Sequence, residues 1–171
     1  MILKRASIKD ITELKKICVE AYSQNFHNHW NEGGLEWYLE REFNEERLKT
    51  DLEDGFTDYY FIIHNEQEVG FVKLKKNSLP GLPTEKGVEI EKIYVLPSYK
   101  GMGIGKSVLN EITKKTKQSG NRILFLCVIE MNKDAIAFYE KLGFRFHSKT
   151  SLDIPYFKEE LKGMNRMYME L

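Results

Sequence analysis

The segment Ile93-Tyr94-Val95-Leu96-Pro97-Ser98-Tyr99-Lys100-Gly101-Met102-Gly103-Ile104-Gly105-Lys106 constrains this chain more than any other. An apolar run stops at Pro97, three glycines alternate, and a helical repeat of Ile104, Val108, Leu109 and Ile112 begins. Strand, glycine loop and helix in that order turn backbone amides outward at a helix N-terminus. There the helix dipole favours negative charge, and no Cβ obstructs an approaching phosphate. The loop reads as a cradle for a phosphate or pyrophosphate, although glycines that only turn the chain would look the same. Spacing narrows the ligand. A dinucleotide fingerprint needs a third glycine three positions after the second, and Lys106 stands there. A P-loop needs glycine five residues before its Gly-Lys-Ser; Gly105-Lys106-Ser107 fits, but Lys100 occupies the required place.

Periodicity predicts an α/β domain around a mixed sheet, with no internal repeat and no composition break, so residues 1–171 are expected to form one domain. Leu3 to Ala6 is a strand candidate. Ile11, Leu14, Ile17, Cys18, Ala21 and Tyr22 make one helical stripe, and a loop from Asn25 to Gly34 interrupts it. Two further helical pieces are expected at Leu35 to Phe43 and Asn44 to Leu52, the second capped by Asn44 with Glu45 and Glu46 in its first turn. Tyr59 to His64 and Val69 to Leu74 predict a hairpin, Asn77 to Lys86 a loop, and Val88 to Val95 a strand. After the glycine loop and its helix, Ile123 to Ile129 predicts a buried strand. Ala135, Phe138, Tyr139 and Leu142 mark a helix closed by Gly143, and Phe144 to Ile154 and Met164 to Met169 predict the last strands.

Charge excludes some partners and suggests others. The 26 Lys and Arg cancel the 26 Asp and Glu, whereas a general nucleic-acid binder is normally basic, so no nucleic-acid partner is expected. The longest apolar run falls far short of the roughly 20 residues a membrane span needs, and no membrane partner is expected. Charge at Lys4 and Arg5 arrives before an apolar signal region could form. Cys18 and Cys127 sit in apolar patterns typical of free thiols, so a cytoplasmic, reduced protein is expected. The neutrality conceals a split. Between Glu32 and Asp58 ten acids face three bases, whereas Lys100, Lys106, Lys114, Lys115 and Lys117 face only Glu111 between Ser98 and Gln118. Both stretches read equally as solvated helix faces. His27 and His29, with no Cys or third convergent ligand nearby, make a poor metal site, and no metal is expected.

Three stretches in order carry a resemblance. Lys100-Gly101-Met102-Gly103-Ile104-Gly105 resembles the acetyl-CoA pyrophosphate loop of the GNAT N-acetyltransferase superfamily, with Lys100 where the family usually has Arg or Gln. Glu89 to Pro97 resembles the family's fourth strand. Asn132-Lys133-Asp134-Ala135-Ile136-Ala137-Phe138-Tyr139-Glu140-Lys141-Leu142-Gly143-Phe144 resembles its Asn-x-x-Ala-x-x-Phe-Tyr-x-x-x-Gly-Phe signature. The resemblance implies a mostly antiparallel sheet of six or seven strands, splayed between the fourth and fifth, and acetyl-CoA as co-substrate. It further implies that the backbone of Ile93, Tyr94 and Val95 pairs with the pantetheine arm. The amides of Gly101, Met102, Gly103, Ile104, Gly105 and Lys106 would hold the pyrophosphate, and Asn132 would touch the cofactor.

Tyr139 matches the tyrosine that protonates the departing thiolate; the competing reading is core packing, since Phe138, Tyr139 and Leu142 are helix-spaced. An ammonium of pKa about 10.4 must lose a proton before it attacks, so a base is expected. Alternation puts Glu89 and Glu91 on one strand face with Ile93 and Val95, and Glu91, nearer the thioester-binding backbone, is the first choice over Glu89. Trp30, Trp37, Tyr38 and Phe43 interleave with Glu32, Glu36, Glu40 and Glu42, a pattern suited to a cationic amine. Trp37 to Leu48 also resembles bacterial spermidine/spermine N-acetyltransferases. Trp30, Glu36, Trp37 and Glu40 are therefore the candidate acceptor-binding residues and a polyamine the expected acceptor, with core tryptophans and solvated acids as the plainer reading. A peptide or protein amine, and a catalytically silent acetyl-CoA-binding module, stay open. The expected partner is a small-molecule amine; a homodimer is left open.

Overall fold

The computed structural model describes residues 2–77 and 87–171, so most of the loop expected at Asn77 to Lys86 lies outside the described residues. The sequence order is β1 (Ile2–Arg5), α1 (Ile11–Phe26), α2 (Gly34–Phe43), α3 (Glu45–Glu53), β2 (Thr57–His64), β3 (Gln67–Lys76) and β4 (Gly87–Val95). Then follow α4 (Ile104–Gln118), β5 (Ile123–Ile129), α5 (Lys133–Lys141), β6 (Arg145–Ser151) and β7 (Gly163–Glu170). The seven strands form one sheet in the order β1-β2-β3-β4-β5-β7-β6. Every neighbouring pair is antiparallel except β4 and β5.

Local chemistry accounts for most boundaries. Asn44 caps α3, its Oδ1 accepting from Arg47 N at 2.8 Å, and Asn132 caps α5 by accepting from Ala135 N at 3.1 Å. Asn65 and Glu66, both with positive φ, make the tight turn of the β2–β3 hairpin. The expected loop from Asn25 starts too early: α1 runs to Phe26, because the stripe of Ile17, Cys18, Ala21 and Tyr22 continues into Asn25 and Phe26, which pack against β4. The sixth strand ends at Ser151 rather than Ile154, and Leu152 N instead donates to Lys162 O at the start of the return toward β7.

Two cores lie on opposite faces of the sheet. One face packs Ile104, Val108, Leu109 and Ile112 of α4 against Val72, Leu74, Ile90, Leu124 and Leu126, with α5 adding Phe138 and Tyr139 at its margin. The other packs Leu14, Ile17, Cys18 and Ala21 of α1, Phe43 and Leu48 against Tyr59, Phe61 and Phe71. The long side chains at the centre of each core are fully buried, which at about 1.5–3 kcal/mol per large apolar side chain makes these two faces the main source of stability.

The parting of β4 and β5 positions the site. They pair only at Gly87↔Ile123, Val88↔Leu124 and Glu89↔Phe125, then separate, so a notch opens beside Glu91 to Val95 on one side and Leu126 to Ile129 on the other. A bulge lies at the mouth of this notch. Lys73 pairs with Lys92 and Leu74 with Ile90, which leaves Glu91 as the extra residue on β4. At the far end of the strand the β3 backbone comes so close that a Cβ on Gly70 would lie 2.2 Å from the Tyr94 carbonyl oxygen, so only glycine fits there.

Candidate active site

The glycine loop sits where β4 meets α4. Gly101 and Gly103 have φ of 81° and 75°, a left-handed conformation that glycine adopts at little cost, and a Cβ at either would point into open space. Gly103 is the N-cap of α4, so the amides of Ile104, Gly105 and Lys106 in the first turn have no helical carbonyl to bond. Lys100 and Lys106 are exposed beside the loop. An open, positively poised row of amides at the end of a parted strand pair fits a pyrophosphate with an extended arm running into the notch. Met102 is 62% exposed on this loop.

Across the notch, Tyr139 is half-buried on α5 with its ring 5.4 Å from Phe138 and 5.7 Å from Phe144. Burial pushes its phenol up to about 12, which keeps it a neutral O–H donor over any ordinary working pH. Tyr94 projects from β4 on the opposite face, edge-on to Phe26 at 4.8 Å and to Tyr22 at 5.7 Å. Its pKa is raised first by burial and then by neighbouring phenols, Tyr38 foremost. Asn132 spends its side-chain oxygen on capping α5. The carbonyl of Val95 accepts from Asn25 Nδ2 at 3.0 Å, while the same amide donates to Ala21 O at 2.8 Å. Asn25 thus ties α1 to the end of β4, a role hidden in the sequence because its partner is 70 positions away.

The bulge overturns the expected strand faces. Ile93 and Val95 pack toward the α4 core, whereas Glu89, Glu91, Lys92 and Tyr94 lie toward the α1–α3 face. The reason is the extra residue at 91, which resets the alternation that simple strand geometry assumes. Glu91 is held by three cations: Lys92 Nζ at 2.8 Å and Lys73 Nζ at 3.1 Å from Oε1, and Lys75 Nζ at 3.4 Å from Oε2. Burial alone would raise its pKa, but the charges of Lys92 and Lys73 outweigh that and hold it far below the usual carboxylate range. A carboxylate so weakly basic is a poor proton acceptor, and this arrangement disfavours Glu91 as the base. Glu89 stands against the thiol of Cys127, whose pKa is raised first by burial and then by that carboxylate.

The acceptor-side residues divide. Glu36 and Glu40 are exposed on α2. Trp37 is half-buried, with the Arg41 guanidinium 5.1 Å over its ring, so a cation of the chain itself already holds that face. Trp30 is 6% exposed and packs edge-on to Phe157 at 5.0 Å, which places it inside the core rather than on an acceptor-facing surface. Its neighbourhood stitches two loops: Asn31 N donates to Tyr156 O at 2.8 Å and Lys158 N to His29 O at 3.0 Å. Sequence reasoning missed Lys73 and Lys92, which are buried at 0% and 5% exposure; two lysines in otherwise ordinary strand patterns were their only signal. Among the described residues no group of three or more His, Cys, Asp or Glu could hold a metal ion, and no helix is long and apolar enough to cross a membrane.

Fold, parted strands and glycine loop together define a class, that of the GNAT fold. The family model for the GNAT acetyltransferases matches residues 18–144, and the chain belongs to this family. Among relatives, an uncharacterized N-acetyltransferase of Methanocaldococcus jannaschii is 32% identical over 81% of this chain, which spans about half the length of that relative. A spermidine N(1)-acetyltransferase of Thermoplasma acidophilum is 24% identical over 88% of this chain and 92% of its own. Among solved structures, the PaiA N-acetyltransferase of Thermoplasma acidophilum in complex with coenzyme A has the same fold, with TM-score 0.75 and 20% identity over the full length of both chains. A ribosomal-protein-alanine N-acetyltransferase of Brucella melitensis follows at TM-score 0.72 and 20% identity, again over both chains in full.

Proposed function

We propose that residues 1–171 act as a single acetyl-CoA-dependent N-acetyltransferase domain that moves an acetyl group directly to the primary amine of a small molecule, with a polyamine such as spermidine as the first candidate. The observation that carries this reading is the notch: β4 and β5 part after Glu89 and Phe125 within reach of the glycine loop, with Tyr139 at its margin. Acetyl-CoA supplies the acetyl group as an activated thioester. The amides of Gly101 to Lys106 would bind its pyrophosphate, and the open backbone edge of Ile93 to Val95 would pair with the arm.

Amine nitrogen then bonds to the acetyl carbon as the carbon–sulfur bond breaks. Tyr139 gives its proton to the sulfur, a transfer that suits a phenol kept neutral by burial. The proton the ammonium loses before attack passes to Glu89, since Glu91 is too weakly basic to take it, and the second, shed by the nitrogen once the carbon–nitrogen bond has formed, restores the Tyr139 phenol. The polyamine reading draws on Glu36 and Glu40, exposed on α2, and on the similarity to the spermidine N(1)-acetyltransferase. A peptide or protein amine is the second reading. It is favoured by the paired state of the inner acids: Glu42 lies 3.5 Å from Lys92 and Glu91 is ringed by lysines, which leaves less net negative charge inside than a polyamine would use. The test is a turnover screen over polyamines, amino acids, aminoglycosides and short peptides, reading released thiol. Turnover highest with spermidine supports the first reading, and turnover with peptides alone supports the second. Binding of acetyl-CoA without transfer to any acceptor points to a silent binding module.

A further inference from the structure

Between Leu96 and Ile104, both buried, the chain crosses the surface as a turn at Pro97–Tyr99 followed by the glycine loop. Ser98, Lys100, Gly101, Met102 and Gly103 are exposed along this path, and Tyr99 is half-buried. At Gly101 and Gly103 a Cβ would meet nothing, so no packing holds the loop from outside. Glycine loses more conformational freedom on ordering than any other residue. Whatever fixes the entry of such a loop before a ligand arrives therefore strengthens binding.

Tyr99 stands two positions before Gly101 and is gripped from a distant part of the chain. Its N–H donates to Leu96 O at 2.9 Å, and Lys100 N to Pro97 O at 3.1 Å, which closes the turn. Its ring packs at the margin of both cores. Its hydroxyl donates to Gln67 Oε1 at 2.6 Å, and the His64 ring stands edge-on at 6.3 Å. His64 and Gln67 are the register pair that closes the β2–β3 hairpin around Asn65 and Glu66, and this hairpin is tied to the end of β4 by Leu96 N donating to Val69 O at 2.8 Å. Resting on the acetyl-CoA reading above, we propose that Tyr99 is a positioning residue. Through Gln67 it fixes the entry of the glycine loop and so raises affinity for the cofactor pyrophosphate. The tip of the β2–β3 hairpin, which supplies none of the amides of the loop, thereby takes part in cofactor binding.

The test is binding of coenzyme A to the full chain by isothermal titration calorimetry, a readout that needs no acceptor. Tyr99→Phe keeps the ring and removes the donor, and is expected to raise Kd about fivefold, the size of one modest hydrogen bond. Gln67→Met removes the acceptor and should match it, whereas Gln67→Glu keeps an acceptor oxygen and should stay within about twofold of the wild type. The double variant Tyr99→Phe, Gln67→Met should bind as either single variant does, within about twofold, because all three lack the same bond. In turnover the KM for acetyl-CoA should rise in step with Kd, with kcat and the amine KM within about twofold of the wild type. Gln67 is exposed at the hairpin tip, so its two variants carry the test even where Tyr99→Phe folds poorly. An unchanged Kd in Gln67→Met overturns the inference, as does a Gln67→Glu protein as weak as Gln67→Met, or a double variant in which the two losses multiply. A wild type that binds no coenzyme A overturns the acetyl-CoA reading itself, an outcome distinct from a wild type whose affinity is indifferent to Gln67.

Discussion

The glycine loop and the lysine-clamped bulge sit along the same strand, β4, and are built from opposite materials. The loop is backbone: positive-φ glycines and free amides at one helix end, all within a few consecutive residues. The bulge is side chain: Lys73, Lys92, Glu91, Asp51 and Glu42, drawn from β3, β4, α3 and α2 and meeting only once the sheet has formed. A backbone site recognises what its ligands share, a phosphate, and tolerates change in the residues around it. A buried ion network depends on every member, because removal of one leaves its partner charged and unpaired.

That contrast orders the expected losses. Lys73→Met should be the most damaging to the fold, lowering unfolding free energy by about 3–5 kcal/mol in urea denaturation, since Asp51 and Glu91 both lose a buried counter-ion. Acid should expose the same network in the wild type. The folded pKa of Glu91 lies below its unfolded value, so its contribution is complete above about pH 5 and decays as pH falls through the ordinary carboxylate range toward the folded value. A denaturation series at falling pH should therefore show a steeper loss in the wild type than in Glu91→Gln; parallel curves would break the comparison.

Tyr139→Phe is expected to lower kcat by about 10²–10³ and leave the KM for acetyl-CoA within about twofold, as removal of a proton donor does. Steady-state kinetics with thiol detection separates the two parameters. On the backbone side, Gly103→Ala forces an L-residue into φ of 75° although its Cβ meets nothing. The strain of about 1–2 kcal/mol should raise the KM for acetyl-CoA by about 5–30-fold and leave the amine KM nearly unchanged. An equal rise in both constants would mean that the loop and the acceptor side are not separable. The smallest effect is expected from Glu36→Gln with Glu40→Gln, a rise of about two- to threefold in KM for spermidine that vanishes at high salt, as exposed charges give. No rise at all would remove the polyamine reading's main physical support.

Most of the fold was legible because its signals are local. The stripe of Leu14, Ile17, Cys18 and Ala21, the caps at Asn44 and Asn132, the run from Ile123 to Ile129 and the glycine loop each depend on residues a few positions apart. The errors fell where distant segments decide. Trp30 looked like part of an aromatic acceptor wall and is a core residue, because the segment around Phe157 closes over it. Alternation put Glu91 on the face of Ile93 and Val95, and a one-residue bulge set against Lys73 turned it to the other face, among lysines.

Sequence alone determined the order of strands and helices and the glycine loop at a helix N-terminus, and it singled out Tyr139, because hydrophobic period and glycine spacing are properties of contiguous chain. Tertiary structure decided where β4 and β5 part, which face each β4 side chain takes, and what charge surrounds Glu91. Those follow from register and from pairing between residues as far apart as Asp51 and Lys73, and a contact between distant segments leaves no periodicity or spacing in the chain that could announce it.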